Sequence, residues 1–310
     1  MKETLQKTAD ILVSNIHNIE SISLLEGKMG IAIFLYHYGR YSGNNQYSDI
    51  ADELLSSVYN SIDSDSNELD ISFDQGIAGF AWAIRYLINK GFAEGDPDEL
   101  LSEVENTLFK KYITDSQSKI PLSTIGMYFQ SVIADEANIE KYDQVINNIL
   151  DKYEFYFLCL LNKPRPTIYI NSVLFVLSSL IKYDQYKDKT KRVIFKILLH
   201  LSNADLSDQI DKDDLYTLYR LLSSIKYDSK EKEAVMRNIE RSGNLYLNNE
   251  VSLDYLWQNF LFSPKEKVSL RSDDINKYID SYTFPSRENS LSIFKGLAGI
   301  GLTLILQEHL

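Results

Sequence analysis

Three stretches decide the fold: Gly27-Lys28-Met29-Gly30-Ile31-Ala32, Gly76-Ile77-Ala78-Gly79-Phe80-Ala81 and Gly296-Leu297-Ala298-Gly299-Ile300-Gly301 align without gaps. Each opens a segment that is apolar on more than one face. Gly79 follows Gly30 by 49 residues, and 47 more reach Gly126, inside a third such segment. From Gly30 to Gly299 the chain divides into six steps of roughly 45 residues, the period of a helix-pair repeat, so seven pairs fit.

Around these openings two kinds of helix alternate along the chain. Apolar residues at i, i+3, i+4 and i+7 predict helices with one buried stripe over 4–16, 45–62, 97–112, 140–156, 191–201, 230–239 and 274–282. In 45–62 the stripe is Tyr47, Ile50, Ala51, Leu54, Leu55, Val58, Tyr59 and Ile62; before 97–112, Asp96-Pro97-Asp98-Glu99 reads as N-cap, Pro at N1 and an acidic first turn. Segments 30–38, 79–88, 122–133, 170–181, 215–225, 253–262 and 299–306 are apolar nearly all round, which predicts burial on both sides. The scarcity of turn-makers, 13 Gly and 6 Pro in 310 residues, agrees with long helices rather than many strands. A linear solenoid needs polar caps, whereas the last repeat is as apolar as the first, so a closed ring forming one domain over 1–310 is expected.

Composition excludes several function classes. With 32 Lys plus Arg against 44 Asp plus Glu the net charge is −12, and no basic cluster stands clear of acids, which argues against nucleic acid. The longest strongly apolar stretches, such as 172–181, are about half the ~20 residues a membrane span needs. Residues 1–14 form an amphipathic pattern with Glu3 and Asp10 and no apolar export core, so a cytoplasmic location is expected. The one cysteine, Cys159, excludes an internal disulfide or a Cys-rich zinc site. The 21 tyrosines suit half-buried helix surfaces and wet cavity walls, or reflect AT-rich codon usage.

At its three glycine openings the chain resembles the lanthionine synthetase C-like (LanC-like) family, with Asp74-Gln75-Gly76-Ile77-Ala78-Gly79 nearest the family pattern. The resemblance implies an all-α fold, an α/α toroid of seven inner and seven outer helices. Family members that close thioether rings hold zinc through a Cys in one inner loop and a Cys-His pair in a later one. Nothing here matches that set: Cys159 lies in an apolar run, and the later inner positions read Tyr216–Leu221 and Tyr255-Leu256-Trp257-Gln258-Asn259. His17, His37, His200 and His309 fall on different predicted helices. No metal and no cofactor is therefore expected, and the family's catalytic residues transfer to no position of this chain.

The glycines Gly27, Gly30, Gly76, Gly79, Gly126, Gly296 and Gly299 have two readings. They either let crowded inner helices start close together, with loops at positive φ, or leave bare N–H groups that converge on an anion. His37, about two turns into an inner helix, would line the bore, and Asp74, Gln75, Tyr128 and Trp257 are further cavity candidates, with Trp82 a possible stacking platform. The expected function is a peptide-binding or scaffolding role in bacterial peptide modification, with a precursor peptide or maturation protein as partner. The alternative is a carbohydrate-active toroid enzyme pairing two of Glu26, Asp70, Asp74 and Asp254 as acid and base.

Overall fold

The computed structural model describes residues 1–64, 70–114, 122–133, 138–160, 166–204, 211–242, 251–252, 255–262, 272–280, 291–293 and 296–308. They form sixteen α-helices, one 3-10 turn (Ile16–Asn18) and no strand. In order these are α1 Lys2–Asn15, α2 Lys28–Ser42, α3 Gln46–Ser64, α4 Ile77–Asn89, α5 Pro97–Leu100, α6 Ser102–Thr114, α7 Leu122–Val132 and α8 Asn138–Lys141. Then follow α9 Asp143–Leu160, α10 Pro166–Leu180, α11 Asp184–Ser202, α12 Lys212–Ser224, α13 Lys230–Arg241, α14 Leu256–Phe262, α15 Ser272–Asp280 and α16 Leu297–Glu308. Each predicted segment falls on helix over most of its described part, although α11 begins at Asp184, seven residues before the predicted 191–201, and the two classes differ as expected. In α2 every residue from Met29 to Gly39 is buried, whereas α13 buries only Lys232, Val235 and Ile239.

The chain forms two compact units, one from Met1–Glu105 with Asn248–Leu310, the other from Asn106–Leu247. In the first, α16 packs against α1, α2 and α14, and α2 against α3 and α4, so helices far apart in sequence meet at α2. In the second, α10 lies between α7 and α12 on one side, while α9, α11 and α13 pack in sequence on the other. Both units are all-α, built by helices pairing with their neighbours in the repeat.

Two stripe expectations are corrected. Tyr59, placed on the buried face of α3, is 61 % exposed. The helix predicted over 97–112 is interrupted at Leu101, whose ψ of 1° leaves the helical region. Asp96 caps as expected, accepting Asp98 N–H at 2.9 Å. Leu100 then lies across Gly95 and stays 58 % exposed, while Leu101 turns inward. The break is spanned by one cation: Arg85 of α4, itself buried, donates to Asp98 of α5 at 2.6 Å and to buried Glu105 of α6 at 2.9 Å.

Many tyrosines bury their rings and use their hydroxyls between helices. Tyr38 donates to Gln6 at 2.8 Å, Gln6 donates to Tyr47 at 2.9 Å, Tyr47 donates to Asp10 at 3.2 Å, and Tyr36 donates to Asp52. Tyr186 of α11 donates to Asp143 of α9 at 2.6 Å. Burial, aided by nearby Tyr47 and Asp10, pushes Tyr38 up to about 12; burial and the Asp143 hydrogen bond push Tyr186 up to about 12. Burial drives Tyr112 and Tyr153 well above the ordinary phenol range.

Two outcomes follow. A phenol whose pKa is raised on folding stabilises the native state below its unfolded value of 10 and loses that contribution as pH climbs toward 12. Phenolate absorbance should therefore lag behind free tyrosine above pH 10 and rise cooperatively with loss of helical circular dichroism. Replacing Arg85 with Met should destabilise the protein by about 3–5 kcal/mol, because it removes the buried cation beside buried Glu105, and the double replacement Arg85→Met/Glu105→Leu should recover much of that loss in urea unfolding.

Candidate functional site

The loops that lead into α2 and α4 are built alike, bond for bond. Ser23 N–H donates to Ser21 Oγ at 3.3 Å, and Ser72 N–H to Asp70 Oδ1 at 2.9 Å. Ser21 and Ser72 hydroxyls bond to Ser23 and Asp70 at 2.9 and 2.7 Å. Three residues on, Glu26 N–H donates to Ser23 Oγ and Gln75 N–H to Ser72 Oγ, at 3.3 and 3.2 Å. The turned-back strand then offers its carbonyls to the helix: Lys28 N–H donates to Ser21 at 2.9 Å, Ile77 N–H to Asp70 at 2.8 Å, and at α16 Ala298 N–H to Leu291 at 3.2 Å.

This folding-back explains the glycines. A Cβ on Gly27, Gly30, Gly76, Gly79 or Gly299 would overlap the carbonyl oxygen six residues earlier, of Ser21, Leu24, Asp70, Phe73 and Ile293 respectively. The second glycine of a repeat also receives a side chain from another repeat: Ile293 lies 3.0 Å from the Cβ position of Gly30, and Leu24 3.1 Å from that of Gly79. Gly126 does a different job inside α7, where its bare Cα makes room for Tyr153 and Val176. Gly296 is buried at the start of α16.

The expectation of positive φ at these openings is corrected: Gly27 and Gly76 are extended, at φ −131° and −111°. Close approach, not handedness, requires them. The left-handed glycines Gly43 and Gly91 instead end α2 and α4. Of the N–H groups that the anion-binding reading invokes, those of Lys28, Ile77, Ala298 and Gly299 donate to loop carbonyls. Sequence inspection of the glycines missed Ser23, Ser72 and Ser292, four residues ahead of each opening; extending the three-way alignment upstream would have found them.

The expected acids are not brought together as a pair by anything in these loops. Asp70 is exposed and spends both carboxylate oxygens on Ser72 of its own turn. Asp74 is exposed, and its carbonyl accepts Leu25 N–H at 3.3 Å, tying one repeat loop to the next. Glu26 is half-buried, and Asp254 lies outside the described residues. Gln75 is exposed and borders a cavity of about 50 Å³ beside Ser23, Val58, Asp70 and Phe80, which is room for water and not for a peptide.

His37 is 7 % exposed and sits in an aromatic nest. Its Nε2 is 2.8 Å from the Tyr86 hydroxyl, and Phe92 meets the ring edge-on at 4.7 Å. Tyr86 stacks on Trp82 at 5.1 Å, Phe260 stands edge-on to both, and burial pushes the Tyr86 phenol well up. Arg40 seals the nest, lying 3.6 Å over Phe92 and donating to Lys90 and Gly91 carbonyls at the end of α4. Tyr86 follows His37 by 49 residues, the repeat offset, and Gln130 and Ser179 repeat the relationship in the second unit at 3.4 Å. Trp82 is half-buried inside this stack. Tyr128, expected as a cavity wall, is fully buried against Phe109, so it packs the core. The Trp257 side chain lies outside the described residues.

Among the described residues no group of three or more His, Cys, Asp or Glu could hold a metal ion. His17 and His200 are exposed on separate elements, the Cys159 side chain and His309 lie outside the described residues, and one cysteine cannot supply a two-cysteine zinc set. In the second unit the sequence hid a polar pair on two apolar-class helices: buried Asn171 of α10 donates to the carbonyl of buried Asp214 of α12 at 2.9 Å. Among the described residues, no helix is long and apolar enough to cross a membrane.

Residues 18–119, about a third of the chain, match a protein-family model described as "Lanthionine synthetase C-like protein". No curated protein and no solved structure matches the chain. The matched segment contains the first two glycine loops and their helices α2 and α4.

If the loops act as described, Gly79→Ala should lower stability by about 1–3 kcal/mol or more, because the added carbon meets backbone rather than a movable side chain. Ser72→Ala should remove about 1 kcal/mol by leaving Gln75 N–H without its acceptor. Urea midpoints measured with unchanged m-values check both.

Proposed function

We propose that this chain is a LanC-like α/α toroid of seven helix pairs without a catalytic zinc, serving as a peptide-binding or scaffolding protein in bacterial peptide modification. The observation that carries the reading is the glycine loop repeated at the starts of α2, α4 and α16. Two of its copies fall within the family match and the third lies far outside it, at 291–301, which extends the likeness toward the other end of the sequence. The packing of α16 on α1 and α2 supports a ring in which the last pair joins the first.

The single cysteine supports the reading that thioether chemistry is not carried out here. A thiol becomes a nucleophile near neutral pH when a metal or a cation lowers its pKa, and a single cysteine leaves no two-cysteine site to hold zinc. What remains is a rigid helical frame with aromatic surfaces and a net charge of −12, which favours a neutral or basic peptide at a cytoplasmic location.

Metal analysis of the purified protein should find far less than one zinc per chain, and incubation with a dehydrated cysteine-containing peptide should form no thioether. Affinity capture from the source organism should recover a precursor peptide or a maturation enzyme. Near-stoichiometric zinc, ring formation, or capture of neither class of partner would overturn the reading.

A further inference from the structure

In the second unit α11 carries a second face that, among the described residues, its packing leaves exposed. Val193, Ile194, Ile197, Leu198 and Leu201 seat the helix on the core. On the opposite side Arg192, Phe195, Lys196, Leu199 and His200, spaced i, i+3, i+4, i+7 and i+8, are all exposed. Phe195 and Leu199 are 39 % and 44 % exposed, and on neighbouring α9 Phe155 is 76 % exposed. Between the two helices runs a groove of about 490 Å³ lined by Phe155, Phe157 and Leu199, with Glu154, Lys196 and His200 at its polar edges.

The charges here oppose those of the chain as a whole. α11 holds Lys187, Lys189, Lys191, Arg192 and Lys196 against Asp184 and Asp188, within a chain of net charge −12. Among the described residues lining the groove the carboxylate is Glu154, 2.9 Å from Lys196 and 3.9 Å from Arg192, so it is shared by two cations. A volume of about 490 Å³ falls in the range of pockets that take large apolar groups, roughly 300–1,000 Å³.

We propose that this groove docks an acidic amphipathic segment of a partner polypeptide, with an apolar side chain seated between Phe155 and Leu199 and its Asp or Glu neighbours facing Arg192 and Lys196. The cleft between Phe155 and Leu199 seats an inserted apolar side chain, and the Lys/Arg-rich face of α11 gives its acidic neighbours partners. The inference uses none of the residues on which the proposed function rests, and it stands or falls separately.

The test uses the full chain and two fluorescein-labelled synthetic helices, each with a Leu stripe, one flanked by Glu and the other by Lys, followed by anisotropy. The Glu helix should bind at least about tenfold tighter than the Lys helix, and its affinity should fall as salt is raised. Phe155→Ser with Leu199→Ser, or Lys196→Glu, should weaken it by at least about tenfold, while these exposed substitutions leave the thermal midpoint unchanged. Four results would overturn the proposal: no binding of the Glu helix, equal binding of both helices, binding that survives both variants, or phosphatidylserine vesicles that co-sediment the protein as strongly as the Glu helix binds it. A concentration-dependent dimer abolished by the same substitutions would also overturn it, by showing a second copy as the occupant.

Discussion

The carbonyl that lies over a glycine six residues later is the contact on which the helix starts depend. It forces the loop back along the helix, so Ser21 and Asp70 can accept the N–H groups of Lys28 and Ile77 that would otherwise be orphans. The absence of Cβ also opens a notch on the helix, and another repeat fills it: Ile293 enters the notch at Gly30, Leu24 the notch at Gly79. One local geometry thus serves as turn, cap and joint between repeats. It sets α2 between α16 and α4.

Besides their buried apolar stripes, the one-stripe helices are tied to their neighbours by polar tips on buried rings. Tyr36, Tyr47 and Tyr186 each reach an aspartate, and Lys189 of α11 reaches Asp151 of α9 at 2.7 Å. Part of the chain's acidic surplus therefore serves as acceptors for phenols and ammonium groups between helices. The buried Arg85 is the costliest of these joints to disturb, since its two carboxylates sit on helices that meet at a break.

Helix positions were legible because burial imposes a period. Tyr47, Ala51, Leu54 and Val58 follow the predicted stripe of α3, and α2 is buried through eleven consecutive residues. The break at Leu101 was not legible, because Leu100 and Leu101 are equally apolar and only the three-dimensional position of Gly95 decides which one turns out. The glycines announced close packing but not its partner, since a carbonyl six residues upstream has no side-chain signature. His37 was picked out by its depth in the helix; its partner Tyr86 was encoded in the same 49-residue offset that revealed the repeat. The acids misled because Asp70 belongs to a turn, and nothing in its residue type separates a turn-forming carboxylate from a reactive one. The Arg192–His200 face went unnoticed because a stripe search stops at the stronger, buried set of α11.

The first unit is discontinuous in sequence, and this orders events during synthesis. Residues Asn106–Leu247 form a continuous stretch that can collapse as soon as it leaves the ribosome. Helices α1 and α2 emerge earlier but cannot complete their packing, because they contact α16, which is made after the other described helices. Until then the apolar flank of α2 is open, with the notch at Gly30 unfilled by Ile293. That flank is a surface for a chaperone to shield, and the lag between the first helices and the last sets how long the nascent chain needs it.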